Sequence, residues 1–129
     1  MGGARRLSSK APAVRAVWKR LREFALGLPE AAEEFPWGDR VAKVRKKIFM
    51  FIGEGTGESP SIALKLHGDA HGHALSLPGA TPTAYNLGTA GWVTIPLAAV
   101  RAHPDLALEW IEMSYALVAP KRLSKTLHS

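Results

Sequence analysis

Five cations fall within eight residues: Arg40, Lys43, Arg45, Lys46 and Lys47, with no carboxylate interrupting them until Glu54. Strand-like alternation places Lys43 and Arg45 on one side, and a turn at Arg45-Lys46-Lys47 presents a cationic tip suited to the phosphates of DNA or RNA. Lys121, Arg122 and Lys125 repeat the charge near the C-terminus, Arg5, Arg6 and Lys10 near the start, and Arg15, Lys19 and Arg22 along one helical flank. Contacts of this kind release counterions and make binding steeply salt-dependent, but they read no base sequence. No helix gathers Arg, Asn and Gln on one face for reading a major groove. The competing explanation is a solvated basic surface or a charge-protected edge strand, offset by Glu30, Glu33, Glu34 and Asp39.

Aromatic residues offer a second chemistry. Trp37, Phe49, Phe51, Tyr85 and Trp92 are rings on which unpaired bases can stack. At least three of them are expected in the core, because aromatic side chains dominate small interiors. Trp18 and Trp110 lie on apolar helical faces and are expected to pack. An alternative role, binding a small anion or a protein partner, would use a pocket of Trp37, Tyr85, Asn86, Trp92 and Tyr115 against the final helix.

His67, His71 and His73 invite a metal reading, since histidines four residues apart share a helical face and suit zinc. No second cluster supplies further ligands at fixed spacing, and Gly68 and Gly72 soften the frame, so neither metal nor cofactor is expected. Catalysis would ask Tyr115 or Tyr85 to donate a proton, Asn86 to orient, and Lys121 or Arg122 to hold an anionic substrate. Paired carboxylates, a Ser-His-Asp arrangement and a dinucleotide fingerprint are absent from the sequence, and Gly53, Gly55 and Gly57 lack the spacing of a phosphate loop. No catalytic residue is assigned, and a non-enzymatic protein is expected.

The elements that must position these residues are constrained by composition. A chain of 129 residues, 47% apolar and 22% charged, is expected to form one domain rather than a disordered chain. Without cysteine there is no disulfide, thiolate nucleophile or thiolate metal site. No apolar run approaches the roughly 20 residues needed to cross a bilayer, so a soluble cytoplasmic protein is expected, with no membrane partner. The net charge of +6 favours a polyanionic partner. Oligomeric state is not encoded in any motif.

Residues 1–10 read as a flexible basic arm, and residues 11–129 as a single domain. Pro12 suits a first helical position and Gly27 a stop; between them Val14, Val17, Trp18, Leu21, Phe24, Ala25 and Leu28 form one apolar helical face. Pro29 to Glu34 reads as an acidic turn or single helical turn. Val41–Ile52 has period two and predicts two strands around the basic tip, with Ile48, Met50 and Ile52 facing one way and Phe49 and Phe51 the other. A Gly-rich turn leads to a strand with Ile62, Leu64 and Leu66. A short helix follows near Asp69, then loop from Pro78 to Gly91, a strand Trp92–Ile95, and a final helix from Pro104 to Pro120. The sum is a two-layer α+β fold, an antiparallel meander with the N- and C-terminal helices packed on one face.

In that order the segments Leu28-Pro29-Glu30-Ala31, Phe35-Pro36-Trp37-Gly38-Asp39, Val44 to Phe49, Thr83-Ala84-Tyr85-Asn86, Gly91-Trp92-Val93 and Ser114 to Val118 resemble the MmcQ/YjbR family of small bacterial proteins. The resemblance runs from about Leu28 to Lys125. It implies a CyaY-like, two-layer α+β fold described as a double-wing DNA-binding motif. Two features differ from that pattern: Lys46-Lys47 stand where relatives usually carry Gly-Lys, and the second wing bears Glu54 and Glu58, which repel phosphate.

Overall fold

The apolar stripe Val17, Trp18, Leu21 and Ala25 is buried and fastens helix α1, Val14–Leu26, to the sheet. The computed structural model describes residues 13–128; the basic arm and Pro12 lie outside them. Trp18 also donates its indole N–H to the Ile52 carbonyl at 2.9 Å. Gly55, with φ +71°, lies against the indole, where a Cβ would come within 2.5 Å of ring atoms. Only glycine meets both demands.

Six strands form one antiparallel sheet: β1 Ala31–Glu34, β2 Val41–Val44, β3 Lys47–Phe51, β4 Ser61–Lys65, β5 Thr81–Pro82 and β6 Trp92–Pro96. Their spatial order is β1-β2-β3-β4-β6-β5. Helix α2, Gly68–Ser76, and helix α3, Pro104–Val118, join α1 on one face. Ala74, Trp110, Ile111 and Tyr115 meet Val44, Met50, Leu64 and Ile95 in a single core. The architecture is the α+β fold, an antiparallel sheet with helices on one side, that the periodicities predict; β1 to β4 form the meander, and β6 lies between β4 and the edge strand β5.

Three elements differ from expectation. The acidic stretch after Pro29 is an edge strand, β1, in register with β2; Ala-Ala-Glu-Glu has weak strand preference, and pairing with β2 overrides it. Thr81-Pro82 adds a short edge strand where loop was expected. The basic tail folds into a short helix α4, Lys121–Ser124, that buries Leu123.

The most consequential difference lies within β3. Ala42 pairs with Met50 but Lys43 pairs with Ile48, so Phe49 is an extra residue in a β-bulge. Strict alternation therefore fails. Phe49 and Met50 both enter the helix-side core, Phe49 edge-on to the Tyr115 ring at 5.2 Å. Ile48 is sent to the opposite face, where Phe51 lies as the alternation predicts.

The bulge also interrupts the β3–β4 ladder. Met50 faces Leu64, but the next positions, Phe49 and Lys65, are bridged by a side chain. Ser114 of α3 accepts the Lys65 N–H at 2.9 Å and donates its hydroxyl to the Phe49 carbonyl. Ser114 is fully buried, so no solvent replaces it. Ser114→Ala should leave a buried donor and acceptor unmatched and cost about 2–4 kcal/mol, read as a lower urea midpoint at unchanged slope. A loss below about 0.5 kcal/mol would show that the bridge is dispensable.

Candidate functional site

β2 and β3 are joined by a two-residue turn, Arg45-Lys46, closed by the Val44–Lys47 pair. Both turn residues have left-handed φ, +50° and +70°, as a type I′ hairpin demands. Such turns favour Asn-Gly, and the conformation costs an ordinary residue about 1 kcal/mol or more. Here it holds two long cations at the tip.

The cations are not equally available. Arg40 donates to Glu54 through Nη2 at 2.9 Å and lies 3.1 Å from Glu33 through Nη1, with its guanidinium over the Phe35 and Trp18 rings. Lys43 reaches Glu34 at 3.1 Å. Arg45 grips Glu30 with two parallel hydrogen bonds. These three expected phosphate contacts are engaged within the fold, because β1 sets its glutamates beside the basic strand. Among the described residues, Lys46, Lys47, Lys121 and Arg122 form no salt bridge.

Hydrogen bonding from Arg45 holds the Glu30 carboxyl below the ordinary value, and the nearby charge of Arg122 acts in the same direction. The hydroxyl of Tyr115 fixes the backbone there by donating to the Pro29 carbonyl at 2.7 Å. Burial raises the Tyr115 pKa.

The helical flank does not extend this surface as expected. Arg22 clasps Glu33 with bonds of 2.6 and 2.8 Å, and Arg15 donates to the Glu54 carbonyl at 2.7 Å. Glu54, expected to spoil a second wing, instead anchors Arg40. His67, the residue preceding α2, is exposed, and His73 lies edge-on to Trp110 at 5.3 Å. No group of three His, Asp or Glu side chains among the described residues is placed to hold a metal ion.

The sheet face opposite the helices carries a groove of about 790 Å³. Its floor includes Ile48, Phe51, Ala63 and Thr94, with Trp37 and Tyr85 also lining it. Those two rings are 88% and 94% exposed, and both residues have left-handed φ, +52° and +60°. Folding gains little from either ring, so strain and exposure together mark them as functional candidates.

The expected pocket is therefore divided. Trp37 and Tyr85 line the groove; Trp92 is buried and lies edge-on to Phe51 at 5.3 Å. Asn86 follows Tyr85 in left-handed conformation outside the lining, and Tyr115 is buried on the helix side of the sheet. Tyr115 and Tyr85 thus do not share a site, which also separates the groups named for catalysis. Sequence reasoning missed Asp39 as a groove residue, and missed Ile48 in the floor because the bulge reverses its face.

An open antiparallel sheet with helices on one face, a cationic hairpin and an aromatic groove defines a small two-layer α+β domain. The family model for YjbR matches residues 26–117, and the chain belongs to that family. No curated protein and no solved structure matches it. The matched span includes the hairpin, the groove and Ser114; Lys121 and Arg122 lie beyond it. No helix among the described residues is long and apolar enough to cross a membrane.

Glu33 links α1, β1 and Arg40, and its pKa is lowered chiefly by the hydrogen bond from Arg22, against the effect of burial. A carboxyl depressed in the folded state contributes stability above its unfolded value, about 4.3, and loses it as pH falls through the folded value. Glu33→Gln should cost about 1–3 kcal/mol at neutral pH, and the gap in urea midpoint should close as the medium is acidified. A gap that persists to about pH 2 would contradict this linkage.

Proposed function

We propose that this YjbR-family protein is a non-enzymatic nucleic-acid-binding protein that contacts phosphates through the tip of the β2–β3 hairpin. The observation that carries the reading is that Lys46 and Lys47 have no carboxylate partner among the described residues, while their neighbours Arg40, Lys43 and Arg45 each have one. Arg122, close enough to act on Glu30, supports the tip from α4, with Lys121 beside it in the chain. A left-handed lysine at the turn also fits a role outside stability, since glycine would be less strained at that position. Four such contacts correspond to a slope of about −3 to −4 in log affinity against log salt.

The Lys46→Gly, Lys47→Gln double variant separates binding from folding. Relief of the turn should leave the melting temperature unchanged or higher. Affinity for duplex and single strand alike should fall by about ten- to a hundredfold near 100 mM salt, with a slope shallower by about two. Glu30→Gln should act oppositely by releasing Arg45, steepening the slope by about one. Unchanged affinity and slope in the double variant would refute the assignment.

A further inference from the structure

The groove on the open sheet face differs chemically from the hairpin tip. Asp39 is one of its lining residues and has no hydrogen-bond or ion-pair partner for its carboxylate among the described residues, whereas Arg40 beside it is held by Glu33 and Glu54. The exposed charge available to a ligand in the groove is therefore negative. Around it stand the exposed Trp37 and Tyr85 rings over an apolar floor. Phosphate is repelled at such a point; a flat ring carrying N–H donors is not.

The surroundings point the other way in charge. Lys65 lies at the end of β4 opposite Trp92, on the same face as Ala63, and forms no salt bridge among the described residues. Lys46 and Lys47 project from the neighbouring hairpin end. A ligand that is flat and hydrogen-donating in the middle but anionic along its backbone satisfies both conditions. Bases in a duplex are stacked and paired, which hides both their faces and their Watson–Crick edges.

We infer that the groove takes an unpaired nucleobase bearing an exocyclic amino group, which cytosine, adenine and guanine have and thymine and uracil lack. The base stacks on Trp37 or Tyr85, and Asp39 accepts from its amino group, the pairing carboxylates make with cytosine N4. The backbone of the single strand then runs toward Lys65 and the hairpin lysines. This inference rests on the nucleic-acid reading above and adds strandedness and base preference to it.

The full chain should be titrated with labelled oligo(dC) and oligo(dT) at one salt concentration, following label anisotropy for affinity and tryptophan emission for stacking. Trp18, Trp92 and Trp110 are 4–6% exposed, so quenching by a stacked base reports on Trp37. Oligo(dC) should bind about tenfold more tightly than oligo(dT), and Asp39→Ala should erase that preference. Tyr85→Ala and Trp37→Ala should each weaken both single strands by about five- to a hundredfold, with duplex affinity and melting temperature retained. Trp37→Phe should remove the quench but keep the affinity. Equal affinity for the two oligonucleotides, or ring variants that bind single strands normally, would overturn the inference. Loss of binding in the hairpin variant alongside that result leaves the phosphate reading intact; the converse pattern would refute the phosphate reading and keep the groove.

Discussion

In the register that sets Met50 opposite Leu64, the Phe49 carbonyl and the Lys65 amide belong to the next rung, and the Ser114 hydroxyl stands between them. An oxygen that both accepts and donates can replace a direct main-chain bond, and α3 delivers it from within the core. The strands are thereby held apart at the bulge without leaving either group unsatisfied. With Phe49 and Met50 both turned toward α3, the core gains two large side chains from consecutive positions. Ile48 and Phe51 are left to floor the other face. The groove is a consequence of how the core is closed.

The charged residues follow a similar division. β1 contributes little apolar surface, yet its glutamates organise the molecule: Glu33 joins α1 to Arg40, and Glu34 takes Lys43. Glu30, just before the strand, takes Arg45. Ion pairs at exposed positions add little stability by themselves, but they decide which cations face solvent unmatched. Lys46 lies beyond the rung that joins Ala31 to Val44, and Lys47 stands on β3, one strand removed from β1. Three left-handed pairs, Trp37-Gly38, Arg45-Lys46 and Tyr85-Asn86, set out the side chains that meet solvent on this half of the protein. Strain located at exposed rings and cations, rather than in the core, is the pattern expected of recognition surfaces.

The sequence made the helices and the strands legible, because periods of 3.6 and two survive in Val14–Leu28 and Ile62–Leu66. The hairpin tip was equally visible as a run of like charge. Strand β1 was not, since Ala31 to Glu34 carries neither β-branched residues nor alternation, and only its partner strand makes it extended. Met50, Phe51 and Ile52 alternate as expected, but one extra residue exchanges the faces of Ile48 and Phe49, and nothing local to Phe49 announces a bulge whose stabilising hydroxyl lies 65 residues away. The fate of Arg40, Lys43 and Arg45 likewise depended on contacts across strands. Family resemblance located Trp37 and Tyr85 in short motifs without saying that both line one groove.

Amide chemical shifts, followed by NMR while a short cytosine-rich single strand is added, test the division between the two faces most directly. Perturbations should be confined to Trp37 to Asp39, the Arg45–Lys47 turn, Phe51, Ala63, Lys65, Tyr85, Thr94 and Lys121-Arg122, leaving the solvent side of α1 and α3 silent. Shifts centred on the helices, or none at all in low salt, would contradict recognition through the open sheet face and its hairpin.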